Sequence, residues 1–134
     1  MRKTAPQRLA EREARARSEL LDSLFEPWIG AVDRAEVLAR LGPVDALDGA
    51  QVAAALHIDI VPAFAEVTRE TQGRIRAALT VLANGDGTEF REYWLDLRAP
   101  FGTTEAEADA IFPVVARSLG VRLPETSAGG QVAR

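Results

Sequence analysis

The chain has 134 residues, 47% hydrophobic and 27% charged, with a formal net charge of −4. That balance describes one globular domain large enough to build a core without cross-links, and it argues against both an intrinsically disordered chain and a surface that binds polyanions throughout. Cysteine is absent, which excludes disulfides, thiolate metal sites and thiol nucleophiles and fits a cytoplasmic address.

The first residues do not read as a secretory signal, because Arg2 and Lys3 lead into the largely charged stretch Gln7 to Arg17 and not into an apolar segment. No run approaches the roughly 20 apolar residues that span a bilayer. Pro6 opens a long helix expected to reach about Glu26. Residues 1–18 are a charged N-terminal helical extension in which Arg2, Lys3, Arg8, Arg12, Arg15 and Arg17 stand against Glu11 and Glu13. Beyond it, Leu20, Leu21, Leu24, Phe25 and Trp28 fall on one helical stripe and begin a single helix-rich domain expected over residues 19–120. Pro27 marks the helix end.

Three short helices are expected next. Asp33 and Glu36 have the spacing of a capping box; Val37, Leu38 and Leu41 supply an apolar face, and Gly42-Pro43 the stop. Asp48 and Gln51 repeat the arrangement for a helix from about Gly49 to His57 that buries Val52, Ala53 and Leu56. Asp59 is expected to cap a third helix, Ile60 to Gln72, in which Ile60, Ala63, Phe64 and Val67 recur at helical spacing and Gly73 supplies the stop. Residues 58–67 also read as an edge strand, the one strand position that tolerates Pro62; the apolar period favours the helix.

Asn84-Gly85-Asp86-Gly87 is the clearest turn in the chain, since Asn-Gly and Asp-Gly accept the positive φ of a tight hairpin. The β-branched and aromatic residues around it predict a β-hairpin over residues 74–98, with Tyr93, Leu95 and Leu97 on one face and Phe90 and Trp94 on the other. After Pro100 and Gly102, Thr104 and Glu107 form a capping box. It opens a helix that buries Ala108, Ile111, Phe112, Val115 and Leu119, is kinked or restarted at Pro113 and ends at Gly120. Residues 121–134 are expected to be a disordered tail. The expected fold class is α+β and mostly helical: a long N-terminal helix, three short helices, a wing-like β-hairpin and a C-terminal helix.

The order helix, helix, tight turn, helix, strand, glycine turn, strand over residues 34–97 resembles a winged helix-turn-helix unit. Gln51 to Ile58 holds the small residue and the leucine that such motifs place where two helices cross. Ile58 would pack behind the turn, and Asn84 to Gly87 would form the wing tip. His57 stands where the motif usually has glycine. The resemblance implies a DNA-binding transcriptional regulator as one function. Its contacts would be Arg69, Gln72, Arg74 and Arg76, with Arg12 and Arg15 from the basic extension. Glu66, Glu70, Asp86 and Glu89 oppose it, because carboxylates there repel phosphate.

No constellation carries catalysis or metal binding. His57 is the single histidine; it lacks a second nitrogen or sulfur ligand, and at a helix C-terminus it serves as a cap. A calcium loop starting at Asn84 would need glycine and glutamate where Glu89 and Leu95 stand. Glu66/Glu70 and Glu105/Glu107/Asp109 point to solvent, without the shielding that shifts a catalytic pKa. No enzyme, cofactor, metal or small molecule is expected. The leading reading is a non-enzymatic protein-interaction or assembly module that binds a protein partner or a second copy through Trp28, Phe64, Phe90 and Trp94. A hairpin with bulky apolar groups on both faces must be covered twice, by its own helices or by a partner.

Overall fold

The computed structural model describes residues 2–124. Within them the chain is entirely helical: α1 (Ala5–Leu24), two 3₁₀ turns (Glu26–Trp28 and Ala31–Asp33), α2 (Ala35–Leu41), α3 (Gly49–Asp59), α4 (Val61–Glu66), α5 (Arg69–Ala83), α6 (Thr88–Leu97) and α7 (Glu105–Ser118). Helix α7 packs against α3 and α6, and α1 against α5.

The expected α+β class and the β-hairpin over residues 74–98 are therefore corrected. Both arms are helices, α5 and α6, and Asn84 to Gly87 joins them as a helix–helix turn. The turn chemistry is the one expected, since Gly87 has φ +89°; what differs is what the turn connects. Thr68 starts α5 by accepting from the Thr71 backbone N–H at 3.1 Å. From there Ile75, Ala78, Leu79 and Leu82 are buried at offsets of a helical stripe, and so are Phe90, Trp94 and Leu97 in α6. β-Branched and aromatic content points to strands only as a weak preference; the period of burial decides. Gly73 lies within α5 and not at a helix end.

The third short helix is also revised. Residues 60–72 divide between α4, which ends at Glu66, and α5, with Val67 extended between them. Ile60 and Phe64 are buried as expected, whereas Ala63 and Val67 are half-buried. Asp33 and Asp59 cap nothing: Arg34 occupies the N-cap of α2 and Ile60 that of α4, neither with a side-chain cap. Asp48 does cap α3, accepting from the Ala50 N–H at 3.0 Å. Two capping boxes are complete, Thr4 with Gln7 on α1 and Thr104 with Glu107 on α7. Helix α7 runs uninterrupted through Pro113. Of the expected tail, Val121 is buried against the core and residues 125–134 lie outside the described residues.

The core is aromatic. Trp28 meets Trp94 edge-on with centroids 6.2 Å apart, Phe25 meets Trp94 at 5.5 Å, and Phe101 closes on Trp28 at 5.4 Å. These are the edge-to-face arrangements that the ring quadrupoles favour. Each indole N–H has a partner: Trp94 Nε1 donates to the Gly102 carbonyl at 3.0 Å, and Trp28 Nε1 donates to Asp59 Oδ2 at 2.7 Å. Arg40 donates to the same carboxylate oxygen at 2.9 Å. Asp59 thus joins the 3₁₀ turn, α2 and the end of α3. At the surface, bidentate pairs tie α1 to α6 (Arg17–Glu89, 2.8 and 2.9 Å) and α6 to α7 (Arg91–Asp109, 2.9 and 3.0 Å).

Candidate functional site

Helix α3 is apolar on nearly every side. Val52, Ala55 and Leu56 face the core, while Ala50, Ala54 and Ile58 face solvent. A helix of that composition is normally enclosed. Here Ile58 is 64% exposed and Leu47, just before the helix, 65% exposed. Ala54 and Ile58 form one wall of a groove of about 260 Å³; Pro43 and Val44 of the α2–α3 link form the other, over a floor of Leu41 and Ala55. Arg40 and Gln51 stand at its edge. The walls are held firmly: Gly42-Pro43 ends α2, and the Gln51 side chain accepts from the Asp45 N–H at 2.9 Å and donates to Asp48 at 3.1 Å.

The residues expected to meet a protein partner lie elsewhere. Trp28, Phe90 and Trp94 are 0, 2 and 1% exposed. They pack on one another's neighbours in the aromatic core, so the second cover for these aromatics comes from the chain's own helices. Phe64 is also buried, with the Arg76 guanidinium 5.0 Å above its ring.

Of the six residues expected to touch DNA, three are engaged within the chain. Arg76 donates to the Leu119 carbonyl at 2.9 Å, Gln72 donates to the Phe64 carbonyl at 3.0 Å, and Arg74 pairs with Glu70 at 3.0 Å. Arg69, Arg12 and Arg15 are exposed, the last two on α1, away from α5 in sequence. Ile58, expected behind a helix–helix turn, faces solvent. The groove was legible in part: Gln51, Ala54 and Ile58 fall at helical spacing beside the buried stripe of α3.

Other concavities offer less. A groove of about 320 Å³ between α1 and α6 is lined by Leu21, Ile29 and Leu97 with Asp22, Glu89, Glu92 and Asp96 around them. Tyr93 donates to Asp22 there at 2.9 Å, and burial with that hydrogen bond pushes its hydroxyl well above the usual tyrosine range. His57 Nδ1 lies 2.8 Å from the Ala53 carbonyl of its own helix. Among the described residues no group of three or more histidine or carboxylate side chains is placed to hold a metal ion, and no helix is long and apolar enough to cross a membrane.

No family model matches this chain, and neither does any curated protein or solved structure. The described residues form seven α-helices on an aromatic core, with an apolar groove between α2 and α3 facing solvent.

Proposed function

We propose that the protein is a non-enzymatic interaction module that presents the α2–α3 groove to a protein partner. The observation that carries this reading is the outward apolar stripe of α3, with Leu47 and Ile58 about two-thirds exposed beside a preformed cleft. Exposed aliphatic side chains at a groove favour association, because covering them removes apolar surface from water. The groove is small, about 260 Å³, so the partner element that fits is one or two apolar side chains presented from a helix or an extended segment. The cysteine-free composition agrees with a partner met in the cytoplasm. The DNA-binding reading is less favoured, since Gln72, Arg74 and Arg76 are already engaged within the chain.

A photo-crosslinking residue placed at Ile58 tests the proposal, with the same residue at exposed Arg69 as control. Discrete crosslinked protein species are expected from position 58 alone, and Ala54→Lys in the same chain should remove them. Equal yields from both positions would count against a specific groove. Species that disappear on nuclease treatment would redirect the function to nucleic acid.

A further inference from the structure

The N-terminal half of α1 stands clear of the fold: residues 2–13 are all exposed. An isolated helix of this length is marginal in water, so a face that packs on something would account for it. One solvent-facing stripe of the helix carries Arg8, Arg12, Arg15, Glu19 and Asp22, continuing to Glu26 in the first 3₁₀ turn, at alternating spacings of four and three. That spacing keeps the side chains on one face of the helix. The stripe is segregated by charge, with three arginines first and three carboxylates after. All six side chains belong to exposed residues, and among the described residues none takes part in an ion pair within the chain. Of the other charges near them, Lys3 is paired with Glu11, Glu92 and Asp96 lie across the neighbouring groove, and exposed Glu13 falls off the stripe by helical spacing.

We propose that this stripe is a self-association surface whose occupant is a second copy of the chain, with the two α1 helices antiparallel about a two-fold axis that crosses the stripe midway between Arg15 and Glu19. In that register Arg8 faces Glu26 of the partner, Arg12 faces Asp22 and Arg15 faces Glu19. The two-fold repeats each pair, as an isologous contact requires. A parallel or shifted arrangement sets like charges against each other, so the pattern selects one register. The stripe cannot close on itself within one chain, because Arg8 through Asp22 belong to one uninterrupted helix and Glu26 follows it in the 3₁₀ turn just beyond. Carboxylates Glu92 and Asp96 of α6, beside Asp22, extend the acidic half that receives the partner's basic arm. Asp22 keeps its bond to Tyr93 through Oδ1, which leaves Oδ2 free. Exposed ion pairs contribute little individually and are screened by salt, so the dimer is weak and forms at low ionic strength.

The inference rests on the chain being an interaction module but uses a face separate from the α3 groove. Sedimentation velocity on the full chain tests it, with two surface variants whose helicity is checked by far-UV circular dichroism. Wild type should dimerise reversibly at low salt and dissociate when salt is raised. Arg8→Glu/Arg15→Glu and Glu19→Arg/Glu26→Arg should each be monomeric, since each sets four like-charged pairs in the homodimer. Mixed one to one, the two variants restore all six opposite pairs, and a heterodimer should form. A wild type that stays monomeric at low salt and high concentration overturns the proposal. So does a dimer that survives both double substitutions, or a mixture that fails to associate. If wild type instead stays monomeric and binds duplex DNA through this stripe, with Arg8→Glu/Arg15→Glu removing that binding, the surface serves a polyanion and the proposal falls. Crosslinking from Ile58 is independent of all these outcomes, so it reports separately on the groove.

Discussion

Gly102 is the residue at which the aromatic core is most sensitive to one added methyl group. Its φ is +71°, and a Cβ built there would lie 2.4 Å from Ile111 Cδ1 and 2.9 Å from Trp94 Nε1. Ile111 is fully buried and Trp94 is 1% exposed, so neither can swing into solvent. Gly102→Ala therefore meets two costs. The left-handed backbone costs about 1–2 kcal/mol for any residue with a Cβ, and overpacking a closed core adds about 1–3 kcal/mol. A mid-range total of roughly 3.5 kcal/mol lowers the melting temperature of a domain this size by about 10–15 °C. Gly87 supplies the control: its φ is +89°, but a Cβ there meets nothing within 4 Å. Gly87→Ala should show the backbone cost alone, about 1–2 kcal/mol. Thermal and urea denaturation of the two variants, followed by far-UV circular dichroism, isolate the steric part as a difference. Near-UV circular dichroism should change only for Gly102→Ala, because Trp94 must shift. If the two substitutions cost the same within about 0.5 kcal/mol, the tight contact among Gly102, Ile111 and Trp94 is not as described.

Two further results are expected. Asp59→Ala strands the buried Trp28 indole N–H and should cost about 1–3 kcal/mol, whereas Arg40→Ala, whose side chain is 46% exposed, should cost under about 1 kcal/mol; equal losses in urea titrations would refute the role given to the indole bond. Tyr93 is the single tyrosine, so tyrosinate absorbance reports on it alone. Burial and the Asp22 bond raise its folded-state pKa, so its contribution to stability is complete below the unfolded value near about 10 and declines as pH rises above it. Native protein should show no tyrosinate at the pH that half-ionises the unfolded chain, and an ordinary titration near that pH would contradict the structure.

Local punctuation was readable from the sequence because it depends on neighbours. Thr104 with Glu107, Asp48 before α3, Gly42-Pro43 after α2 and the turn at Asn84 to Gly87 each act over a few residues, and each stands where local chemistry puts it. The elements joined by that last turn are helices and not the expected strands, and Phe90, Trp94 and Leu97, like Ile75, Leu79 and Leu82, recur at helical spacing. β-Branched and aromatic content favours strands only weakly, and period is the better guide because burial acts on a whole face. Tertiary structure alone decided which aromatics are covered. Trp28, Phe90 and Trp94 look like partner contacts one at a time, but elements distant in sequence fold their rings into one cluster. Asp59 shows the same limit, since it looks like a helix cap until Trp28 and Arg40 arrive from other elements to claim its carboxylate. Ile58 is the converse, a large aliphatic residue left outside because α3 has only one face to give the core. Local spacing determined some helix ends, such as those at Asp48 and Thr104, and missed others, such as the break at Val67; which side of each helix meets another is a property of the assembled chain, because burial is shared among residues that the sequence keeps apart.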